Sequence, residues 1–254
     1  MSAARDTYLI FRRYARQTVR RKFSIVIGMM QPVLYLVLFG PLMSGALGGT
    51  AGAYGGDPWR VFVPGVLVQL TLFGAGMAGF RILPEQRWGV VERMRVAPLS
   101  RTALLAGRVA HDTVVLLLQA VLLLVVGVAF GLRMPPGAVA VCLLLVALTG
   151  AGLAALSYAL GLVVQGEYQF APVIQTTVLP LMLLSGILLP MTLAPAWLDA
   201  ASHLSPFRYV VDAMRAAAAG DYAGATTLTG LGVALALAVV ALAIGTRTFR
   251  HRSA

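Results

Sequence analysis

The side chains best suited to act on another molecule gather in one short stretch, PEQRWGVVERMRVAPLSR at 84–101, where Glu85 and Glu92 stand among four arginines. Read as a helix, the stretch puts Glu85 and Glu92 two turns apart on one half of the wheel, beside Arg93. Trp88, Val90, Val91, Met94 and Ala97 fall on the other half, interrupted by Arg87 and Arg95. Gly89 lies between, and Pro98 ends the element. Mixed charges at this spacing do no covalent chemistry, but they suit docking into a charged cleft on another protein. The plainer alternative is a solvated loop whose arginines only set membrane orientation.

Catalytic chemistry finds no foothold elsewhere. The sequence has no H-E-x-x-H, no paired-aspartate motif and no G-x-S-x-G. His111, His203 and His251 fall at segment edges and share no ligand spacing, so neither a catalytic residue nor a metal site is expected. There is no G-x-x-x-x-G-K-[ST] loop, and the only lysine, Lys22, lies in the basic N-terminal segment. Work done by this chain must therefore draw on a partner subunit or a gradient. Gradient coupling usually places ionisable groups deep in the membrane. Here the nearest are Arg81, His111 and Asp112, all read near inner helix ends.

The elements that must carry the charged stretch are apolar. Of 254 residues 59% are hydrophobic and 11% charged, and the mean hydropathy is +0.85. A soluble domain carries about 25% charged residues, so the class expected is an all-α polytopic membrane protein. Six apolar runs, at 23–43, 61–80, 109–131, 138–164, 170–190 and 227–246, each approach the ~20 residues that cross a bilayer as a helix. Pro32, Pro64, Pro172 and Pro180 within them are tolerated where neighbours re-satisfy the backbone. Cys142, the single cysteine, reads as a buried thiol.

Charge sets the orientation. With the N-terminus inside, the first 22 residues, 81–108 and 247–254 hold seven, six and three basic residues, while the outer loops hold only Arg60, Arg133, Arg208 and Arg215. Both termini are thus expected in the cytoplasm. The net charge of +11 follows helix ends and loops and does not indicate nucleic acid. All basic residues but Lys22 are arginine, a bias that fits a GC-rich genome.

Residues 1–22 form their own unit ahead of the membrane domain at 23–254. On a helical wheel Arg5, Arg12, Arg13, Arg16 and Arg20 share one arc, and Tyr8, Phe11, Tyr14, Ala15 and Thr18 share the other. Such a helix lies among headgroups with its guanidiniums toward anionic lipid. A signal peptide is the competing reading, disfavoured because the basic region and the following span are both too long.

Polar side chains inside the spans include Gln69, Thr71, Gln175, Thr176 and Thr177. They read either as helix–helix hydrogen bonds or as a mildly polar lining for an amphipathic cargo. Before the last span come two pieces too short to cross. One carries Trp197; the other starts at Ser205-Pro206 with a capping hydroxyl. The second places Phe207, Val210, Val211 and Met214 on one face, and Arg208, Asp212 and Arg215 on the other.

Taken together, the basic entry helix, six spans with both ends inside, and the island Glu85–x–Arg87–x–Gly89–x–x–Glu92 running into Pro98-Leu99-Ser100-Arg101 form a pattern. With LSPFRYVVDAMRA at 204–216, the chain resembles the membrane subunits of type-2 ABC exporters over nearly its whole length. It is most similar to permeases of the daunorubicin- and multidrug-resistance kind. The resemblance implies a coupling helix that includes Glu85, Arg87, Trp88, Gly89, Glu92, Arg93 and Pro98. That helix would sit in a cleft on a cytoplasmic ATPase subunit present in two copies, which carries the ATP and Mg. A second permease copy, most simply an identical one, would complete the complex in the plasma membrane of a bacterium. The resemblance also implies that the helices bearing Trp197, Phe207, Arg208, Asp212 and Arg215 dip into the outer leaflet and close the exit. Polysaccharide and lipid-linked-glycan permeases share this architecture, and a membrane-embedded enzyme or scaffold is the alternative of another class.

Overall fold

A computed structural model describes residues 3–20, 22–46, 57–89, 100–164, 166–187, 191 and 194–252. All regular structure among them is helical. Helix α1 (Ala3–Arg20) leads into α2 (Lys22–Ala46). Helix α3 (Pro58–Gly76) starts where the Asp57 carboxylate accepts the Trp59 N–H at 3.0 Å, with Pro58 in the first turn. It tightens into a 3-10 turn (Ala78–Arg81) and rewinds as α4 (Ile82–Arg87). Ser100 caps α5 (Arg101–Ala129), its hydroxyl accepting the Ala103 N–H at 3.2 Å. Then come α6 (Pro136–Val163), α7 (Glu167–Leu184), α8 (Ala196–Ser202), α9 (Pro206–Ala218) and α10 (Ala225–Arg252).

By length and composition Pro58–Arg87, Thr102–Ala129, Pro136–Val163 and Ala225–Phe249 can each cross a membrane. Helix α2 offers the shorter apolar stretch Met30–Leu42. Helix α7 has 18 residues and two internal prolines, a rise of about 27 Å. Each of the six expected runs lies mainly on a helix, though the bounds move. The third starts at Arg101 rather than 109, which brings Arg108 inside the helix and sets His111 and Asp112 well in from its start, and the fifth ends at Leu184 rather than 190.

Contacts sort the connections to two ends. At one, Arg60 Nε donates to the Arg133 carbonyl at 2.8 Å, and Arg215 reaches the carbonyls of Val61 and Gly186. At the other, α1 packs on α5, and Arg87 lies 3.8 Å from Glu167. Helix α3 forms the buried centre, flanked by α6, α5, α2 and α9, with α10 laid along α6. Cys142 is buried in this core.

The switch from α3 to the 3-10 turn has a cause on α6. Ser157 Oγ accepts the Gly79 N–H at 2.8 Å and donates to the Gly76 carbonyl, so one hydroxyl serves both backbone groups freed by the change of winding. Contact this close requires glycine: a Cβ on Gly79 would lie 1.9 Å from the Ser157 carbonyl oxygen, and one on Gly161 would lie 2.7 Å from that of Gly79.

Two expectations are corrected. The single helix expected over 84–98 breaks at Trp88–Gly89, where Gly89 takes φ 63 and its N–H closes on the Gln86 carbonyl at 3.1 Å; a left-handed glycine is a common helix stop. Ser205 stands at the N-cap of α9, but its hydroxyl does not cap it. It pairs with the Ser185 hydroxyl at 3.0 Å, tying α9 to the end of α7.

Candidate functional site

Helices α1, α4, α5 and α6 and the 3-10 turn bring their polar side chains together where α3 gives way to α4. The Glu85 carboxylate on α4 accepts the Tyr14 hydroxyl through both oxygens, at 2.8 and 3.1 Å, and accepts Arg108 Nη2 at 2.6 Å. One turn along α5, Asp112 collects three partners. Tyr158 on α6 donates its hydroxyl to Oδ2 at 2.7 Å, while His111 Nδ1 lies 2.8 Å from Oδ1, which also takes Arg81 Nη2. The other ring nitrogen of His111, Nε2, meets the Thr18 hydroxyl at 2.9 Å, so the imidazole links α1 to Asp112. The two carboxylate centres are joined by Arg108. Its guanidinium sits over the Tyr14 ring at 5.5 Å and the Tyr158 ring at 5.7 Å.

The site balances two carboxylates against Arg81 and Arg108, and most of it is dry: Tyr14, Arg108, His111, Asp112 and Tyr158 are buried. Burial pushes the Tyr14 phenol up from 10.0 to about 12; Glu85 beside it adds to the rise, and Arg108 opposes it. A buried charge pair is weak evidence of net stability. Its consequence is specificity of placement, because moving α4 leaves Arg108 and Tyr14 without an acceptor. What this geometry can do is transmit displacement from the 81–89 segment to α1, α5 and α6.

The coupling residues read from the sequence divide at Gly89. Glu85 is half-buried in the cluster, Arg87 lies near Glu167, and Trp88 is 71% exposed. Glu92, Arg93 and Pro98 lie outside the described residues. On α1 the arginine arc is exposed as expected, but the face carrying Tyr14 is packed on protein. Asp6, Ile10 and Tyr14 are buried, and Asp6 accepts the Ser100 N–H at 3.4 Å.

At the opposite end Trp197 is 72% exposed and Phe207 buried. Arg208 pairs with Asp199 at 2.7 Å, lies 3.6 Å from Asp212, and also meets the Ser202 hydroxyl. Burial raises the Asp212 carboxyl above its ordinary range, against the pull of Arg215 and Arg208. Arg215 does not share a solvated polar face. It is wholly buried, donating through Nε to the Val61 carbonyl at 3.1 Å and through Nη2 to Gly186 at 2.8 Å. Val61 lies in the first turn of α3 and Gly186 just past the end of α7, and the long multi-donor arginine reaches both carbonyls.

The five polar residues read as a lining also separate. Gln69 and Thr71 are buried in α3, Thr71 bonding back to the Leu67 carbonyl at 2.8 Å. Gln175, Thr176 and Thr177 lie on the exposed side of α7, Thr177 bonding back to Val173 at 2.9 Å. Not foreseen in the sequence were Tyr14, Arg108, Tyr158 and Ser157 as partners. The available signal was Arg108, His111 and Asp112 recurring at i, i+3 and i+4 in an otherwise apolar helix.

The bundle and its polar inner knot define a helical membrane protein whose connecting segment is built into the packing. Residues 5–218 match the profile of the ABC-2 type transporters, and the chain belongs to that family. It is 27% identical over 222 residues to the putative transport permease ycf38 of Cyanophora paradoxa, covering 83% of this chain and 73% of the relative. Against the ycf38 protein of Porphyra purpurea it is 28% identical over 204 residues, covering 78% and 69%. Against the daunorubicin resistance ABC transporter permease protein DrrB1 of Streptomyces coeruleorubidus it is 23% identical over 188 residues, covering 73% and 65%. The chain is thus a membrane transport permease rather than a catalytic enzyme.

Proposed function

We propose that this chain is the permease subunit of an ATP-driven exporter that moves an amphipathic, drug- or lipid-like substrate outward. ATP and Mg are held by a separate cytoplasmic ATPase, in two copies, and two permease chains form the pathway. Helices α2, α3, α5, α6, α7 and α10 cross the plasma membrane of a bacterium, with both termini in the cytoplasm.

The observation that carries this reading is the knot around Glu85 and Asp112. A segment that served only as a loop needs no buried acceptors tying it to three other helices. One that receives force does, and the tie runs from 81–85 to α1, α5 and α6. The ATPase grips the remainder of the island, with Glu92 and Arg93 supplying mixed charge and Trp88 an exposed ring. The exposed side of α7 supports a paired pathway: Gln175 and Thr176 lie there between Pro172 and Pro180, and polar groups facing hydrocarbon are costly. At the far end α8 and α9, anchored by Arg215, close the exit.

The test is ATP-dependent uptake of an amphiphilic dye into inside-out vesicles carrying the permease and its ATPase, with co-purification of the two. Wild type retains the ATPase and accumulates dye, and Glu92→Arg loses both. Equal ATPase retention by wild type and variant overturns the docking assignment, and absence of uptake overturns the export assignment.

A further inference from the structure

Helix α1 has two faces that do different things. One is fixed to the protein: Ile10 packs at Gly107, where a Cβ would lie 2.7 Å from Ile10 Cβ, Tyr14 donates to Glu85, and Thr18 meets His111. The other carries Arg5, Arg12, Arg16 and Arg20, all exposed, and Tyr8, Leu9 and Val19 are exposed among them. The sequence pattern sets this second face toward anionic headgroups, but the coupling role proposed above gives it no part.

We propose that the arginine arc of α1 binds an anionic phospholipid surface, and that this binding regulates coupling by holding Tyr14 against Glu85. The inference rests on the coupling role proposed above for the Glu85 cluster. Charge complementarity favours lipid phosphate as the partner, since each basic residue near an anionic surface adds to its attraction. The exposed Tyr8, Leu9 and Val19 favour a bilayer over an acidic protein face. Apolar side chains between arginines bury in the acyl boundary while the guanidiniums reach headgroups. Position agrees, because α1 runs into apolar α2 with one residue between them. A bound headgroup layer presses one side of α1 while the cluster holds the other, so losing the layer lets α1 lift and take the Tyr14 donor from Glu85.

The test uses the full chain, in bilayers of neutral phosphatidylcholine or of the same lipid with about 30 mol% phosphatidylglycerol. The first readout needs no ATPase: thermal unfolding of the permease alone. Phosphatidylglycerol raises Tm of the wild type by about 4 °C, and the rise disappears at high salt, which screens surface charge. A variant with Arg5, Arg12, Arg16 and Arg20 all changed to Gln shows no rise, and the corresponding Lys variant recovers it. The second readout is ATP-driven dye uptake by the complex, which increases about threefold with phosphatidylglycerol in wild type and not in the Gln variant. No lipid-dependent Tm shift overturns the lipid surface, whatever the complex does. A Tm shift with uptake indifferent to lipid overturns the regulation while leaving the exporter assignment standing. Uptake absent in both lipids overturns the exporter assignment, and the regulation with it. A Gln variant that loses ATPase retention equally in both lipids, with no Tm shift in wild type, assigns the arc to a protein partner and overturns the proposal.

Discussion

The Glu85 carboxylate lies 2.6 Å from Arg108 Nη2 and joins α4 to α5, with the arginine side chain 3% exposed and the glutamate 16%. Removing one member of a buried pair costs more than removing both, because the survivor keeps its charge without a partner. Glu85→Ala is therefore expected to destabilise the permease by about 3 kcal/mol, and the double change of Glu85→Ala with Arg108→Met by less. Unfolding midpoints of the three proteins in one detergent check this ordering.

Tyr14→Phe deletes the donor to Glu85 and leaves the ring that Arg108 covers. The loss is expected to be about 1 kcal/mol in stability, with a larger effect on transport. The phenol also has a pH signature. Its pKa rises from 10.0 to about 12 in the folded protein, so the neutral form is the one the fold favours. The associated stability is fully present below pH 10, diminishes as pH rises, and is gone above about pH 12. Difference absorbance between wild type and Tyr14→Phe should show a phenol titrating near 12; a midpoint near 10 contradicts the buried placement.

Gly107 contributes no side chain to the cluster, yet a Cβ there would meet Ile10 Cβ at 2.7 Å and the Thr7 carbonyl oxygen at 2.8 Å. Gly107→Ala is expected to push α1 off α5 and reduce transport about tenfold, as a small misplacement at a coupled site can. Gly232 has nothing within 4 Å of its added Cβ, and Gly232→Ala should leave transport unchanged and raise stability by up to about 1 kcal/mol. Transport by the two variants in parallel separates the site from a general intolerance of larger residues.

Arg215 clamps α3 to the chain after α7 through the carbonyls of Val61 and Gly186. Lysine retains the charge but cannot serve both segments in one geometry. Arg215→Lys is expected to destabilise by about 2 kcal/mol and to loosen the end of the bundle that it clamps. Labelling of Ile187→Cys by a membrane-impermeant maleimide should rise in the Arg215→Lys background and stay low without it.

The long elements were legible because apolar runs near bilayer length leave few other solutions, and Arg60, Arg133 and Arg215, grouped by loop charge, do lie at one end. The island was legible as a place but not as a shape: the alternation of charge around Glu85 and Glu92 suggested one helix, and the left-handed Gly89 interrupts it. Arg215 was misread because a helical wheel assigns a polar face without knowing that the carbonyls of Val61 and Gly186 lie opposite. Tyr14, Arg108 and Tyr158 were not read as partners because they come from three distant segments, and no local pattern in the chain records that they meet. Ser157 gave no signal at all; one hydroxyl in an apolar helix reads as back-bonding until the neighbouring backbone is known to change its winding.

The central claim is that the tie from 81–85 into α1, α5 and α6 converts movement of the ATPase into movement of the permease. The most direct test is the ratio of dye moved to ATP hydrolysed in proteoliposomes of the complex, for wild type and Tyr14→Phe at equal ATPase retention. The account predicts continued hydrolysis with the ratio reduced about tenfold in the variant. An unchanged ratio contradicts it.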